Sequence, residues 1–118
     1  PSGKWNVAPV DLVLTFRNYH NFSPADRATV NKSAFDALKS GGYYGIVDHT
    51  RRHNEPGTRE NSRRVDPVRV IKEVQDAGFV LADFSDLYYR PNDALSLEVG
   101  NPAVNDRTDR VALLFRKP

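Results

Sequence analysis

His20 and the adjacent pair Asp48-His49 are the residues of this chain best suited to proton chemistry. An imidazole accepts a proton near neutral pH, so His20 is a candidate general base toward a bound hydroxyl or amine. His49 is the second candidate, and Asp48 is placed to orient one of the two rings. Arg17, Asn18, Tyr19 and Asn21 surround His20 in sequence and offer polar groups that suit a small ligand. Together with His53, the two histidines and Asp48 also match the ligand types of zinc or iron. No His-x-His or His-Glu-x-x-His spacing supports that set, so no metal is expected.

The flanking segments must place these groups. Val10-Asp11-Leu12-Val13-Leu14-Thr15-Phe16 is a nearly continuous apolar run, suited to a strand buried on both faces of a parallel sheet. The string Arg17 to Asn21 begins where it stops. Tyr43-Tyr44-Gly45-Ile46-Val47 predicts a second buried strand, ending in Asp48-His49. Ligands of open parallel sheets sit beyond the carboxyl ends of the strands. If the two strands are neighbours, about 4.8 Å apart, both polar clusters share one rim. The same residues would equally cap strand ends and satisfy loop backbone, and for His49 that reading comes first.

Between them, Ser23, Pro24 and Asp26 signal a helix start. Ala34, Phe35 and Leu38 give its inner face, Lys39 sits in the last turn, and Gly41-Gly42 predicts its end. Asn31 would divide this helix in two. Residues 50–64 read as a polar loop with Pro56-Gly57. Asp66-Pro67 opens a second helix with Val70, Ile71 and Val74 inward and Ala77-Gly78 at its close. Residues 79–84 predict a third strand, 85–107 an irregular stretch, and 110–116 a last strand. With no helix before it, the last strand is expected to run antiparallel. Residues 1–9, around Trp5, form a lead-in.

The 118 residues suit a single domain. Alternating strands and helices make it an α/β fold. Seventeen basic and fifteen acidic residues leave a formal charge of only +2, without the basic, aromatic-interleaved stripe of a nucleic-acid binder. The cluster Arg51, Arg52, Arg59, Arg63 and Arg64 is diluted by Glu55 and Glu60 and reads as a solvated loop. Tyr43, Tyr44, Tyr88 and Tyr89 read as strand and core-edge aromatics. The chain has no cysteine, which excludes disulfides and thiol chemistry. No run of eighteen apolar residues is present, so no membrane span is expected. The default compartment is the cytoplasm, with the periplasm the alternative if a signal stands upstream of Pro1.

Several stretches together resemble class I S-adenosylmethionine (SAM)-dependent methyltransferases. Leu38-Lys39-Ser40-Gly41-Gly42 resembles their "L-K-P-G-G" turn, which likewise feeds directly into a strand. Ala77-Gly78-Phe79 matches the "A-G-F" ahead of their sixth strand, and Thr108-Asp109-Arg110 to Pro118 looks like their seventh, antiparallel one. The combination of Phe16 to Asn21, Val47-Asp48-His49 and the terminal Thr-Asp-Arg strand is similar to a group of bacterial predicted methyltransferases.

The resemblance covers nearly the whole chain and implies the C-terminal half of that Rossmann-like fold. Three parallel strands and a C-terminal antiparallel one, with helices between, would remain, and the N-terminal strands would be missing. It implies a small-molecule acceptor near the ends of the first two strands, with His20 or His49 catalytic. Arg17, Asn18, Tyr19, Asn21 and Asp48 would bind the substrate. SAM is the cofactor of the family, but no Gly-x-Gly follows a strand here, so the chain alone is expected to bind none and to be inactive. The alternative is a non-catalytic binding or self-associating module. Without its neighbouring strands, the 10–16 strand is expected to make a homo-oligomer.

Overall fold

A computed structural model describes residues 9–118, so all of the expected lead-in but Pro9, Trp5 included, lies outside the described residues. The chain forms β1 (Val10–Phe16), a 3₁₀ turn (Tyr19–Asn21), α1 (Pro24–Ala37) and β2 (Leu38–His49). It continues with α2 (Pro67–Asp76), β3 (Val80–Ser85) and β4 (Arg110–Arg116). The sheet order is β1-β2-β4-β3. β1 pairs parallel with β2, and β4 runs antiparallel to both β2 and β3. Three strands therefore point one way and the last returns between two of them.

Both helices start as their sequences require. Ser23 Oγ accepts the Asp26 N–H at 3.2 Å ahead of Pro24, and Asp66 accepts from Val68 and Arg69 ahead of Pro67. The end of α1 differs from expectation. It stops at Ala37, and Leu38 is already extended (φ −80°, ψ 144°), buried in the sheet opposite Val10. The glycine pair works inside the strand instead. Pairing jumps from Val10↔Leu38 to Leu12↔Tyr43, so residues 39–42 bulge outward, with Gly41 at φ +83°. Lys117 holds this bulge by two backbone hydrogen bonds, to the Gly41 N–H and the Gly42 carbonyl. Its Nζ donates to the carbonyls of Phe35 and Leu38 at the end of α1.

Asn31 does not divide α1. It is fully buried in a continuous helix, where its Nδ2 donates to the Tyr19 hydroxyl (2.8 Å) and its Oδ1 accepts from the Tyr44 hydroxyl (3.0 Å). The Tyr19 hydroxyl in turn donates to Glu73 on α2. Burial pushes both phenols well above their ordinary pKa. A polar amide that reads as a helix breaker is here a satisfied cross-link.

The core lies on one face of the sheet. Tyr44, Ile46, Leu113 and Phe115 pack there with Ala34, Val70, Val74 and Phe79. Gly78 takes φ +112° at the end of α2, and a Cβ there would lie 2.8 Å from the Phe35 ring. The opposite face carries Leu12, Leu14, Phe16 and Tyr43, which remain 51, 52, 54 and 39% exposed. β1 is therefore not buried on both faces. Both helices contribute to a single core, and among the described residues nothing covers the other side.

The 50–64 loop is not simply solvated. Arg64 is fully buried and grips Asp93 with two hydrogen bonds of 2.8 and 3.0 Å, and it also donates to the carbonyls of Thr50 and Leu97. Burial opposes charge on Asp93, but Arg64 and the Leu95 and Asp109 N–H groups outweigh it and hold the carboxyl below its usual range. The two long loops are thus tied together. Among the described residues no helix is long and apolar enough to cross a membrane.

Candidate functional site at the strand ends

β1 and β2 run side by side to their carboxyl ends, with Phe16 opposite Val47. The Arg17 N–H donates to the Val47 carbonyl at 2.7 Å, and Arg17 then turns the chain with φ +52°. This left-handed residue leads into the 3₁₀ turn, which swings His20 back over the end of β2.

There His20 meets Asp48. Its Nδ1 lies 2.8 Å from Asp48 Oδ1, and its backbone N–H donates to Oδ2 at 2.8 Å. The Asp48 side chain is fully buried and also accepts the His49 N–H. A carboxylate can only accept, so in the neutral ring the Nδ1 proton goes to Asp48 and Nε2 keeps its lone pair. The expected partnership of Asp48 with one imidazole is therefore made with His20.

His49 faces the other way along the rim. Its Nδ1 sits 2.6 Å from Thr108 Oγ1. Burial, reinforced by Arg110, His20 and Arg64 against the opposing pull of Asp48, lowers its pKa to about 4. The ring is uncharged at neutral pH. The two imidazole centroids are 6.0 Å apart.

A cleft of about 440 Å³ opens at these strand ends, lined by Phe16, Arg17, His20, Asn21, His49 and Arg110, among others. His20 also borders a second, smaller cavity of about 100 Å³ with Arg51, Arg27 and Glu73. Arg17, His20, Asn21 and His49 thus share one cleft, with Asp48 behind His20. Asn18 stands back from the cleft, accepting from Asn21 Nδ2 at 2.8 Å. Tyr19 turns inward to Asn31 and Glu73. His53 lies against Asp66, 3.1 Å away. Among the described residues no three His, Cys, Asp or Glu side chains converge as metal ligands do. Thr108 and Arg110 join the site from the far end of the chain, and their sequence signal was the terminal Thr-Asp-Arg strand.

No protein-family model matches the chain, and no curated protein matches it in sequence. Solved structures do. The chain is similar to human N-acetylserotonin methyltransferase in complex with SAM, with TM-score 0.66 and 15% identity over 98% of this chain and 31% of that one. It is similar to the [4+2]-cyclase SpnF, with TM-score 0.68 and 17% identity over 98% of this chain and 54% of that one. A SAM-dependent methyltransferase from Methanosarcina mazei gives TM-score 0.63 and 12% identity over 98% of this chain and 63% of that one. The fold is that of part of a SAM-dependent methyltransferase. The chain spans about a third of the length of several such structures. That one neighbour is a cyclase shows that this fold does not dictate the reaction.

The residues of this chain do not by themselves fit SAM. None of its seven glycines forms a Gly-x-Gly turn.

Proposed function

We propose that this chain is the acceptor side of a SAM-dependent methyltransferase acting on a small molecule, with His20 as general base. The observation that carries this reading is the His20–Asp48 pair at the rim of a cleft, on a fold shared with SAM-dependent methyltransferases. When a hydroxyl or amine of the acceptor gains a methyl group, its proton has to leave. His20 Nε2 is the group placed to take it, and Asp48 holds the ring in the required tautomer and steadies the imidazolium that results. Asn21 and Arg17 line the same cleft and position the acceptor. Neutral His49, fixed by Thr108, forms part of the wall. Residues that hold the donor are not supplied by this chain.

Replacing His20 with Ala in the natural full-length protein and following methyl transfer from labelled SAM tests the reading. Loss of about a hundredfold or more in turnover at unchanged stability is expected of a general base. Equal turnover would remove His20 from the mechanism.

A second reading, a self-associating module, is favoured by the bare face of Leu12, Leu14, Phe16 and Tyr43. The occupant we infer is a second copy of the chain. Among the described residues β1 is the end strand of the sheet, and residues 10–16 hold no lysine or proline to block pairing with another edge.

A further inference from the structure

The cleft at the strand ends is strongly cationic. Three guanidinium groups line it, those of Arg17, Arg63 and Arg110, against a single lining carboxylate, Asp106. Arg63 is already paired with Glu98, which also accepts the Gly100 N–H. Arg17 and Arg110 are not so engaged. The Arg17 side chain makes no hydrogen bond or ion pair among the described residues. Arg110 Nε is buried and has no hydrogen-bond partner.

A buried donor without a partner is costly, and in a native protein it calls for an explanation such as a bound ligand. Arg17 adds an independent sign. It is a non-glycine residue held at φ +52°, a left-handed conformation that is unfavourable for a side chain and tends to persist where function requires it. That turn places an uncommitted guanidinium on the same cleft as Arg110 and His20. The planar fork of arginine matches the two oxygens of a carboxylate or phosphate. Exposed Phe16 adds an apolar wall for the body of such a molecule.

We propose that the acceptor is a small organic anion, whose carboxylate or phosphate is bound by Arg17 and Arg110 while its hydroxyl or amine faces His20. This rests on the methyltransferase reading for the role of the hydroxyl, but not for the binding of the anion. The anionic group anchors the molecule, and the distance from the arginines to His20 Nε2 selects which atom reacts. The donor's own carboxylate is the other source of a suitable anion, and the experiment separates the two.

Dissociation constants of three probes are measured on the full chain: 4-hydroxybenzoate, phenol and S-adenosylhomocysteine. 4-Hydroxybenzoate is expected to bind at least tenfold more tightly than phenol, and the preference should shrink as salt rises. Arg17→Gln and Arg110→Gln should each remove most of it while leaving phenol unchanged. Arg17 is exposed and outside the strand, so its variant keeps the test sound if Arg110→Gln fails to fold. Equal affinity for the two phenols would overturn the proposal, as would a preference surviving in Arg17→Gln. So would substitutions that weaken S-adenosylhomocysteine alone. An anion preference without methylation of any anionic phenol by the full-length protein would sink the methyltransferase reading and leave the binding site. Methylation of neutral and anionic phenols with equal kcat/KM would do the reverse.

Discussion

Asp48 receives His20 twice, from the ring Nδ1 and from the backbone N–H, each at 2.8 Å. The double contact fixes where the ring sits as well as which nitrogen carries its proton. Asp48→Asn should therefore lower turnover about tenfold or more while changing KM little. If the two residues act as a unit, Asp48→Asn combined with His20→Ala should be no slower than His20→Ala alone. Steady-state kinetics of the three variants in the full-length protein check this, and additive losses would separate the pair.

Arg64 and Asp93 form an ion pair with both side chains fully buried. Arg64→Met should cost about 3–5 kcal/mol, because it leaves a carboxylate buried without its partner. Arg64→Met/Asp93→Leu should recover only part of that loss. The carbonyls of Thr50 and Leu97 and the N–H groups of Leu95 and Asp109 would still lose their partners. Urea unfolding midpoints of the three proteins measure both effects.

His49 predicts a specific acid sensitivity. Its folded pKa of about 4 lies below the ordinary 6.5, so the unfolded ring binds a proton more readily than the folded one. Its contribution is complete above pH 6.5 and is lost as the pH falls toward 4, by about 3 kcal/mol in total. Stability measured from pH 7.5 to 4 should show this loss, and His49→Asn should flatten that part of the curve.

The chain alone should bind SAM very weakly. It lacks a Gly-x-Gly turn, and the resemblance leaves out the strands that carry that turn and the ribose-binding acid. Calorimetric titration is expected to show no heat of binding at micromolar concentrations. A micromolar dissociation constant would mean that another part of the chain replaces the glycine turn.

The bare face predicts association of the chain with itself. Leu14 is the residue to test, since it is 52% exposed and its Cδ2 lies where a Cβ on Gly45 would have to go. Light scattering should report a dimer or larger species for the chain and a smaller one for Leu14→Lys. A monodisperse monomer before substitution would refute association through this face.

Much of the fold was legible because strands in a layered sheet are short apolar runs with polar ends. β1 and β4 occupy the expected residues 10–16 and 110–116. The end of α1 was misplaced because a glycine pair reads alike as a helix stop and as a strand bulge, and only the pairing of Val10 with Leu38 distinguishes them. In sequence Asn31 reads as a breaker and Arg64 as surface charge because their partners lie far along the chain. Asp93 is 29 residues from Arg64. The rim of His20 and Asp48 could be inferred from strand ends, whereas Thr108 reaches His49 across 59 residues, a contact that local pattern does not encode.

The position of β4 also has a consequence in time. Among the described strands it is made last, yet it lies in the sheet between β2 and β3. A chain emerging from the ribosome can pair β1 with β2, but β3 has no strand to join until Arg110–Arg116 have been synthesised. Through most of synthesis one edge of β2 stays open while the apolar side chains of Tyr44 and Ile46 wait for Leu113 and Phe115. Until Arg110–Arg116 emerge, these apolar side chains and open strand edges are therefore available for wrong pairing.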